Sequence, residues 1–296
     1  MQQRTRWAGA GAATVAALAL TGCDMDVDFE GNVTEETRTD SYARAEVLEL
    51  TNQDGATTVV GGDVSEITVE RRLRYTGDTP PEETVTEQDG TLAITAGDCG
   101  SRIALGIAWC DIDYVVTVPE GTAVSVGSAD GAITVDDTGG EVTVVTTDGE
   151  VVVTGTVEKL DATTRDGVLT LDQVEADTVT AETVDGRIEA TGGAAETVAL
   201  ANRDGRVRVD GTEFGELDVD SGDGTVEITA ATAFDRVDVK ARDGGVTVLT
   251  PPGAGPYAVT TSTGDGAVDV SVPQDTDAES VIRVTTVDGA ITVGEA

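Results

Sequence analysis

The sequence predicts an all-β protein folded as a parallel β-solenoid with coils of about 18–20 residues. Three observations predict it. The dipeptide Asp-Gly returns at Asp130-Gly131, Asp148-Gly149, Asp166-Gly167, Asp185-Gly186, Asp204-Gly205, Asp223-Gly224, Asp243-Gly244, Asp265-Gly266 and Asp288-Gly289, in steps of 18, 18, 19, 19, 19, 20, 22 and 23. A period of that size marks a repeat architecture. Apolar residues recur seven and five positions before each glycine, as in Val142/Val144 and Val198/Leu200, and two and four after it, as in Val151/Val153 and Leu169/Leu171. Each repeat therefore reads as two short strands meeting at Asp-Gly. Aromatic residues make up only 3% of the chain, which suits a thin core of Val, Ile, Leu, Ala and Thr.

The alternative is an antiparallel β-hairpin meander, because Asp-Gly is among the strongest two-residue hairpin signals. It is locally allowed. Globally, the many one-sided strands would close into a barrel too wide for these small side chains to fill. In a solenoid the two strands of a coil face each other across a narrow core and successive coils stack about 4.8 Å apart. The second corner of each coil then falls in the Gly- and Thr-rich gaps, such as Thr154-Gly155 and Thr191-Gly192-Gly193.

In chain order, residues 1–22 stand outside the fold. Arg4 and Arg6 precede the short apolar run Ala8–Leu20, and Leu20-Thr21-Gly22-Cys23 follows. The run is too short for a mature membrane span and reads as a secretory signal. Its end is similar to the lipobox of bacterial lipoproteins, which implies cleavage before Cys23, a diacylglycerol on its sulfur and a stable extracytoplasmic membrane anchor. Residues 23–45, polar and acidic, read as a flexible tether. Residues 46–296 read as the repeat domain, with further Asp-Gly dipeptides at Asp54-Gly55 and Asp89-Gly90, hidden repeats lacking the dipeptide in the intervals of 35 and 41 residues that follow them, and insertions at Thr76–Glu83 and Cys99–Cys110. In an exported chain the last two cysteines suggest a disulfide across residues 99–110, worth about 2–3 kcal/mol by loop entropy.

Charge bounds the partners. The chain carries 18 basic and 56 acidic residues, net −38, with no histidine and only Lys159 and Lys240 as lysines. Loss of residues 1–22 removes two arginines and no acid, giving −40. Nucleic acid and anionic lipid are disfavoured.

From Ile112 onward, IDYVVTVPEGTAVSVGSADGAITV carries a strand ending in Tyr114-x-Val116-x-Val118-Pro119, then Glu-Gly, then serial Ser/Thr-x-Asp-Gly units. The chain from Val47 to Val293 thereby resembles the bacterial putative-adhesin family of β-strand-repeat proteins, domains of unknown function similar to auto-transporter adhesin heads. The resemblance implies an adhesin-like or scaffolding envelope rod and brings no catalytic residues or cofactor. A second reading is an accessory or sensory lipoprotein that binds another envelope protein in stress signalling. A surface-polysaccharide binder or cleaving enzyme ranks below both, since no repeat gathers acids and aromatics in one place.

The candidate site residues are few. The acidic column could take Ca²⁺, with Asp166 and Asp204 as candidates, but turn chemistry explains it without metal: Asp bonds nearby amides and Gly supplies a positive φ. Thr146, Thr164, Thr183, Asn202, Ser221, Thr263 and Thr286, three before the glycine, read as an inward ladder closing the corner. Without histidine there is no histidine-based triad. In the 99–110 loop, Ile103, Leu105, Ile107 and Trp109 alternate with small residues and form a candidate contact patch, directed either onto the end of the stack or onto a partner. The final coil, Ile282–Val293, reads as an uncapped C-terminal edge open to weak self-association.

Overall fold

The computed structural model describes residues 33–97 and 109–296, and every regular element among them is a strand. The N-terminal end is built from β1 (Val33–Ala43), β2 (Val47–Thr51), β3 (Thr57–Gly62), β4 (Glu66–Thr76), β5 (Glu83–Gln88), β6 (Thr91–Ala96) and β7 (Cys110–Pro119). The regular stack follows as β8 (Ala123–Ser128), β9 (Ile133–Asp136), β10 (Glu141–Thr146), β11 (Val151–Thr156), β12 (Lys159–Thr164) and β13 (Val168–Thr183). It continues with β14 (Arg187–Thr191), β15 (Ala194–Asp204), β16 (Val207–Asp223), β17 (Val226–Ala230), β18 (Arg236–Asp243) and β19 (Val246–Thr250). The C-terminal end holds β20 (Ala258–Asp265), β21 (Val268–Val270), β22 (Val281–Asp288) and β23 (Ile291–Glu295).

These strands form a parallel β-solenoid with two faces. The front face holds β6 and the strands that run into Asp-Gly, in the spatial order β6, β2, β8, β10, β12, the second half of β13, β15, the second half of β16, β18, β22, β20, all parallel. The back face runs β7, β3, β9, β11, the first half of β13, β14, the first half of β16, β17, β19, β23, β21. β13 and β16 bend through the second corner and serve both faces. The predicted alternation puts Val142, Val144, Val151, Val153, Leu169, Leu171, Val198 and Leu200 inside, none more than 3% exposed. Because register is in phase from coil to coil, each apolar side chain stacks on its equivalent, and each buried valine or leucine contributes about 1.5–3 kcal/mol.

The hairpin meander is not the architecture of the repeats, although antiparallel pairing survives at the N-terminal end. β4 lies antiparallel to β7 and to β1, and β5 to β6. The β5–β6 turn is Asp89-Gly90 with φ of 51° and 82°, the left-handed pair of a tight hairpin. Asp89-Gly90 is thus a hairpin turn rather than one more Asp-Gly of the repeat series. Residues 33–43, expected as tether, form β1, which pairs with β4 along its whole length.

Spatial and sequence order differ at both ends. The β2/β3 coil sits between the β6/β7 and β8/β9 coils. The last coil in sequence, β22/β23, sits between β18/β19 and β20/β21. The expected open edge at Ile282–Val293 is therefore covered: Ile282, Val284, Ile291 and Val293 are fully buried. The strands at the end of the stack are β20 and β21.

Candidate functional site

The Asp-Gly edge is where the repeat is most regular. Thr164 Oγ accepts from the Gly167 amide at 3.2 Å and donates to the Thr147 carbonyl of the preceding coil at 3.3 Å. Thr146, Thr183 and Ser128 make the same pair of bonds. Farther along, Ser221 donates to Asn202 at 2.9 Å, Thr263 to the Gly289 carbonyl at 3.0 Å and Thr286 to the Arg242 carbonyl at 3.2 Å. The inward ladder read from the sequence thus ties corner to neighbouring corner, with a break at Asp243-Gly244, where Ala241 takes the position.

The expected positive φ holds for only part of the column: Gly205, Gly224 and Gly244 have φ of 141°, 156° and 142°, whereas Gly131, Gly149, Gly167 and Gly186 do not adopt a positive φ, and further left-handed residues sit at second corners, at Gly139, Gly155, Gly192, Gly193 and Gly211 and at Asp137 and Gln173. At the Asp-Gly corner a Cβ on Gly149 would fall inside 3.0 Å of the Gly131 carbonyl oxygen, one on Gly167 of the Gly149 oxygen, and so on through Gly186, Gly205, Gly224, Gly244, Gly289 and Gly266. Each carbonyl occupies the space where the next glycine's side chain would be.

The acidic column stands on this edge in register. Asp204 faces Asp223, Asp223 faces Asp243, and Asp243 and Asp265 both face Asp288. Neighbouring carboxylates at this spacing repel by about 1 kcal/mol in water. Arg242 Nη2 donates to Asp223 at 2.9 Å, and that bond, with Asp243 and Asp204 nearby, raises the arginine pKa. Arg165 approaches Asp166 at 3.9 Å. Asp166 and Asp204 lie in coils separated by the one that carries Asp185, and among the described residues no group of three or more potential ligands comes together for a metal.

The N-terminal end carries the polar cluster that sequence reasoning missed. Arg71 of β4, with a side chain 3% exposed, donates to Glu83 Oε1 at 2.7 Å, Asp40 Oδ2 at 2.9 Å and Tyr42 Oη at 2.9 Å. Tyr114 Oη donates to the same Glu83 oxygen at 2.8 Å. Burial opposes the guanidinium charge, yet Glu83 and Tyr42 raise its pKa overall. Burial, then the Glu83 charge, pushes the Tyr114 phenol far up. The cluster joins β1, β4, β5 and β7. Its signal was available: Arg71 shares the inward phase of Ile67, Val69, Leu73 and Tyr75.

Of the contact patch, Ile103, Leu105 and Ile107 lie outside the described residues, as do Cys23 and Cys99. Trp109 is 40% exposed, with the Arg74 guanidinium 4.0 Å above its ring centre. Arg74 is held in turn by Asp111 at 3.1 Å. Trp109 is therefore a half-exposed residue on an outer face at the N-terminal end. Cys110 opens β7, opposite Tyr75. Elsewhere, an open groove of about 620 Å³ runs along the second corner between Glu175, Asp177, Glu196 and Glu213. Its one aromatic lining residue, Phe214, is 5% exposed and stacked on Phe234 at 5.6 Å, so it offers no ring to a sugar. Among the described residues no helix is long and apolar enough to cross a membrane.

This fold, two parallel faces closed by glycine corners and an antiparallel cap, is that of a β-strand-repeat solenoid protein. A profile of the Toastrack DUF4097 family matches residues 46–294, and the chain belongs to that family. A solved structure described as a putative adhesin from Parabacteroides distasonis ATCC 8503 is 15% identical, covering 88% of this chain and 98% of its own, with a TM-score of 0.56. One from Parabacteroides merdae ATCC 43184, also described as a putative adhesin, is 14% identical over 87% of this chain and 98% of its own, with a TM-score of 0.52. A third, from P. distasonis ATCC 8503, is described as a putative lipid binding protein and is 11% identical over 90% and 98%, with a TM-score of 0.50. At these identities the likeness is one of fold. No functionally curated protein matches the chain significantly.

Proposed function

We propose that the protein is a non-enzymatic, adhesin-like rod of the extracytoplasmic envelope, anchored to the membrane through a lipidated Cys23 and stapled by a Cys99–Cys110 disulfide. The observation that carries the reading is how the repeated polar groups are used: the hydroxyls of Thr146, Thr164 and Thr183 close corners, and the arginines among the carboxylates, Arg165 and Arg242, pair with Asp166 and Asp223 of their own column. What faces outward is a regular acidic surface, suited to holding a contact away from the membrane. The names of the P. distasonis and P. merdae structures agree with it. The test is incorporation of a fatty-acid probe into the full chain expressed in a bacterial host. Label and membrane association should both disappear in Cys23→Ser; label retained in that variant would overturn the anchor.

A second reading, contact with another envelope protein, is favoured by the half-exposed Trp109 under Arg74 at the end nearest the anchor. Crosslinking at that position, with loss of the adduct in Trp109→Ala, would support it.

A further inference from the structure

We propose that the protein pairs end to end with a second copy of itself, β20 against β20, in a two-fold dimer that stops at two. Among the described residues β20 pairs with β22 and β21 with β23, and the far side of the chain at β20 is bridged only at Tyr257, to Gln274, so from Ala258 on both faces finish in an unpaired edge. Register sets the inward positions of this coil: Val259, Thr261 and Thr263 lie beside Ile282, Val284 and Thr286, and Val268 and Val270 beside Ile291 and Val293. Ile291 is fully buried, whereas Val268 is 46% exposed. The core of the stack runs out into solvent here.

Charge separates the two ends of the rod. Residues 258–264, AVTTSTG, carry none, in a chain of net charge −38. At the other end the outermost strands are studded with it: Glu35, Glu36, Arg38 and Asp40 on β1, Glu83 and Glu87 on β5. Charged edges resist strand addition and uncharged ones invite it. Head-to-tail stacking is thus blocked, and an open end can meet only another open end, which gives a closed, isologous contact.

A second copy also fits better than an extended segment of another protein. It brings two edges at the same separation with an apolar middle between them, while a lone strand would cover one edge and leave the other, and Val268, wet. The eight-residue β20 matches itself and not the three-residue β21. Opposed residues in an antiparallel pair share a face. A dyad at Thr261 meets that condition, setting Val259 opposite Thr263 and Thr260 opposite Ser262, both within the uncharged stretch. The pairing covers residues 258–264, since the Tyr257 N–H and C=O that would meet Asp265 are already bonded to Pro273 and Asp275, and no carboxylates of β20 face one another. The dimer places both N-terminal ends at the outer extremities. Taken with the anchored reading above, on which this last step alone rests, the contact would join two cells.

The test uses the full chain in solution, where the dimer does not depend on the anchor. Light scattering should show mass rising with concentration from one chain to two and no further. Oxidation should crosslink Thr261→Cys across the dyad beyond the level of the unsubstituted chain, and should not do so for Thr39→Cys on β1. Thr260→Lys with Ser262→Lys sets lysines opposite each other and should leave a monomer with the melting temperature of the dilute parent. A monomer at every concentration, growth beyond two chains, or a dimer that survives the lysines would each overturn the proposal.

Discussion

Gly167→Ala tests whether the repeat is written by close approach or by backbone freedom. Gly167 does not adopt a left-handed φ, so alanine brings no conformational penalty and would ordinarily stabilise by about 0.4–1 kcal/mol through the unfolded chain. The added Cβ, however, meets the Gly149 carbonyl oxygen inside 3.0 Å and Thr164 Oγ at 2.7 Å. Neither can retreat, since the carbonyl belongs to the adjoining corner and the hydroxyl holds both the Gly167 amide and the Thr147 carbonyl. Overpacking costs about 1–3 kcal/mol and a weakened buried hydrogen bond about 1 kcal/mol more, so after the unfolded-chain gain of about 0.4–1 kcal/mol is subtracted the net loss is about 1–3.5 kcal/mol. For a chain of this size that lowers Tm by about 2–14 °C.

Two controls separate the causes. Gly211 has φ of 67° and open space around the position of a Cβ, so Gly211→Ala should lose only the left-handed preference, about 1–2 kcal/mol. Gly127 has ordinary φ and nothing nearer than Thr51 Oγ at 4.0 Å, and Gly127→Ala should be neutral or slightly stabilising. Thermal melts followed by far-ultraviolet circular dichroism rank the three. If Gly167→Ala melts no lower than Gly211→Ala, the close-approach account is wrong.

Thr164→Val removes the acceptor of the Gly167 amide and should destabilise by about 1–3 kcal/mol, with Thr164→Ser recovering most of it in the same melts. Glu83→Gln keeps an acceptor but removes the carboxylate charge nearest the nearly buried Arg71; the loss should be about 3 kcal/mol, the lower end for a broken buried pair because Asp40 still faces the guanidinium. Tyr114 has a folded-state pKa raised above the ordinary phenol value of 10.0. Its contribution is therefore complete below about pH 10 and lost as pH rises further, because the unfolded chain gives up that proton first. Alkaline titration of stability should fall above that pH, and Tyr114→Phe should flatten the fall; an unchanged slope would remove Tyr114 as its cause.

The strands and their two faces were legible because period two within a strand and period nineteen between coils leave little freedom once one face is buried. The corner hydroxyls were legible for the same reason, Thr164 and Thr183 recurring at one phase. β1 was not. It is paired by β4 on one side only, and in VTEETRTDSYA charges fall on both phases, so no burial pattern separates it from a tether. Nor was the order of coils at the C-terminal end. Val246 and Val248 of β19 pack as well against Ile291 and Val293 as they would against Val268 and Val270, and interchangeable valines carry no address. The one trace of the exchange is the lengthening of the last steps to 22 and 23, which supplies chain for skipping a layer and returning.

Asp-Gly serves two ends in this chain, and what decides between them is the neighbour rather than the dipeptide. At Asp89-Gly90 both residues are left-handed, the strands on either side pair with each other, and the turn is a hairpin. At Asp166-Gly167 the flanking strands pair instead with those of adjoining coils, β12 with β10 and β13, and β13 with β11 and β14. There Thr164, three before the glycine, takes the amide that a hairpin would bond across its turn. At Asp89-Gly90 the equivalent position is Glu87, too long and charged to fold inward as a corner acceptor. A small inward residue three before Asp-Gly's glycine, a hydroxyl or amide at every corner but Asp243-Gly244, where it is Ala241, is thus the local feature that marks a solenoid corner. Replacing Glu87 alone would not convert the hairpin, because Gly90 faces the Glu46 side chain rather than another glycine's carbonyl. A corner needs its small inward residue, its glycine and the glycine of the adjoining coil together, which is why the motif is informative as a column and ambiguous as a single copy.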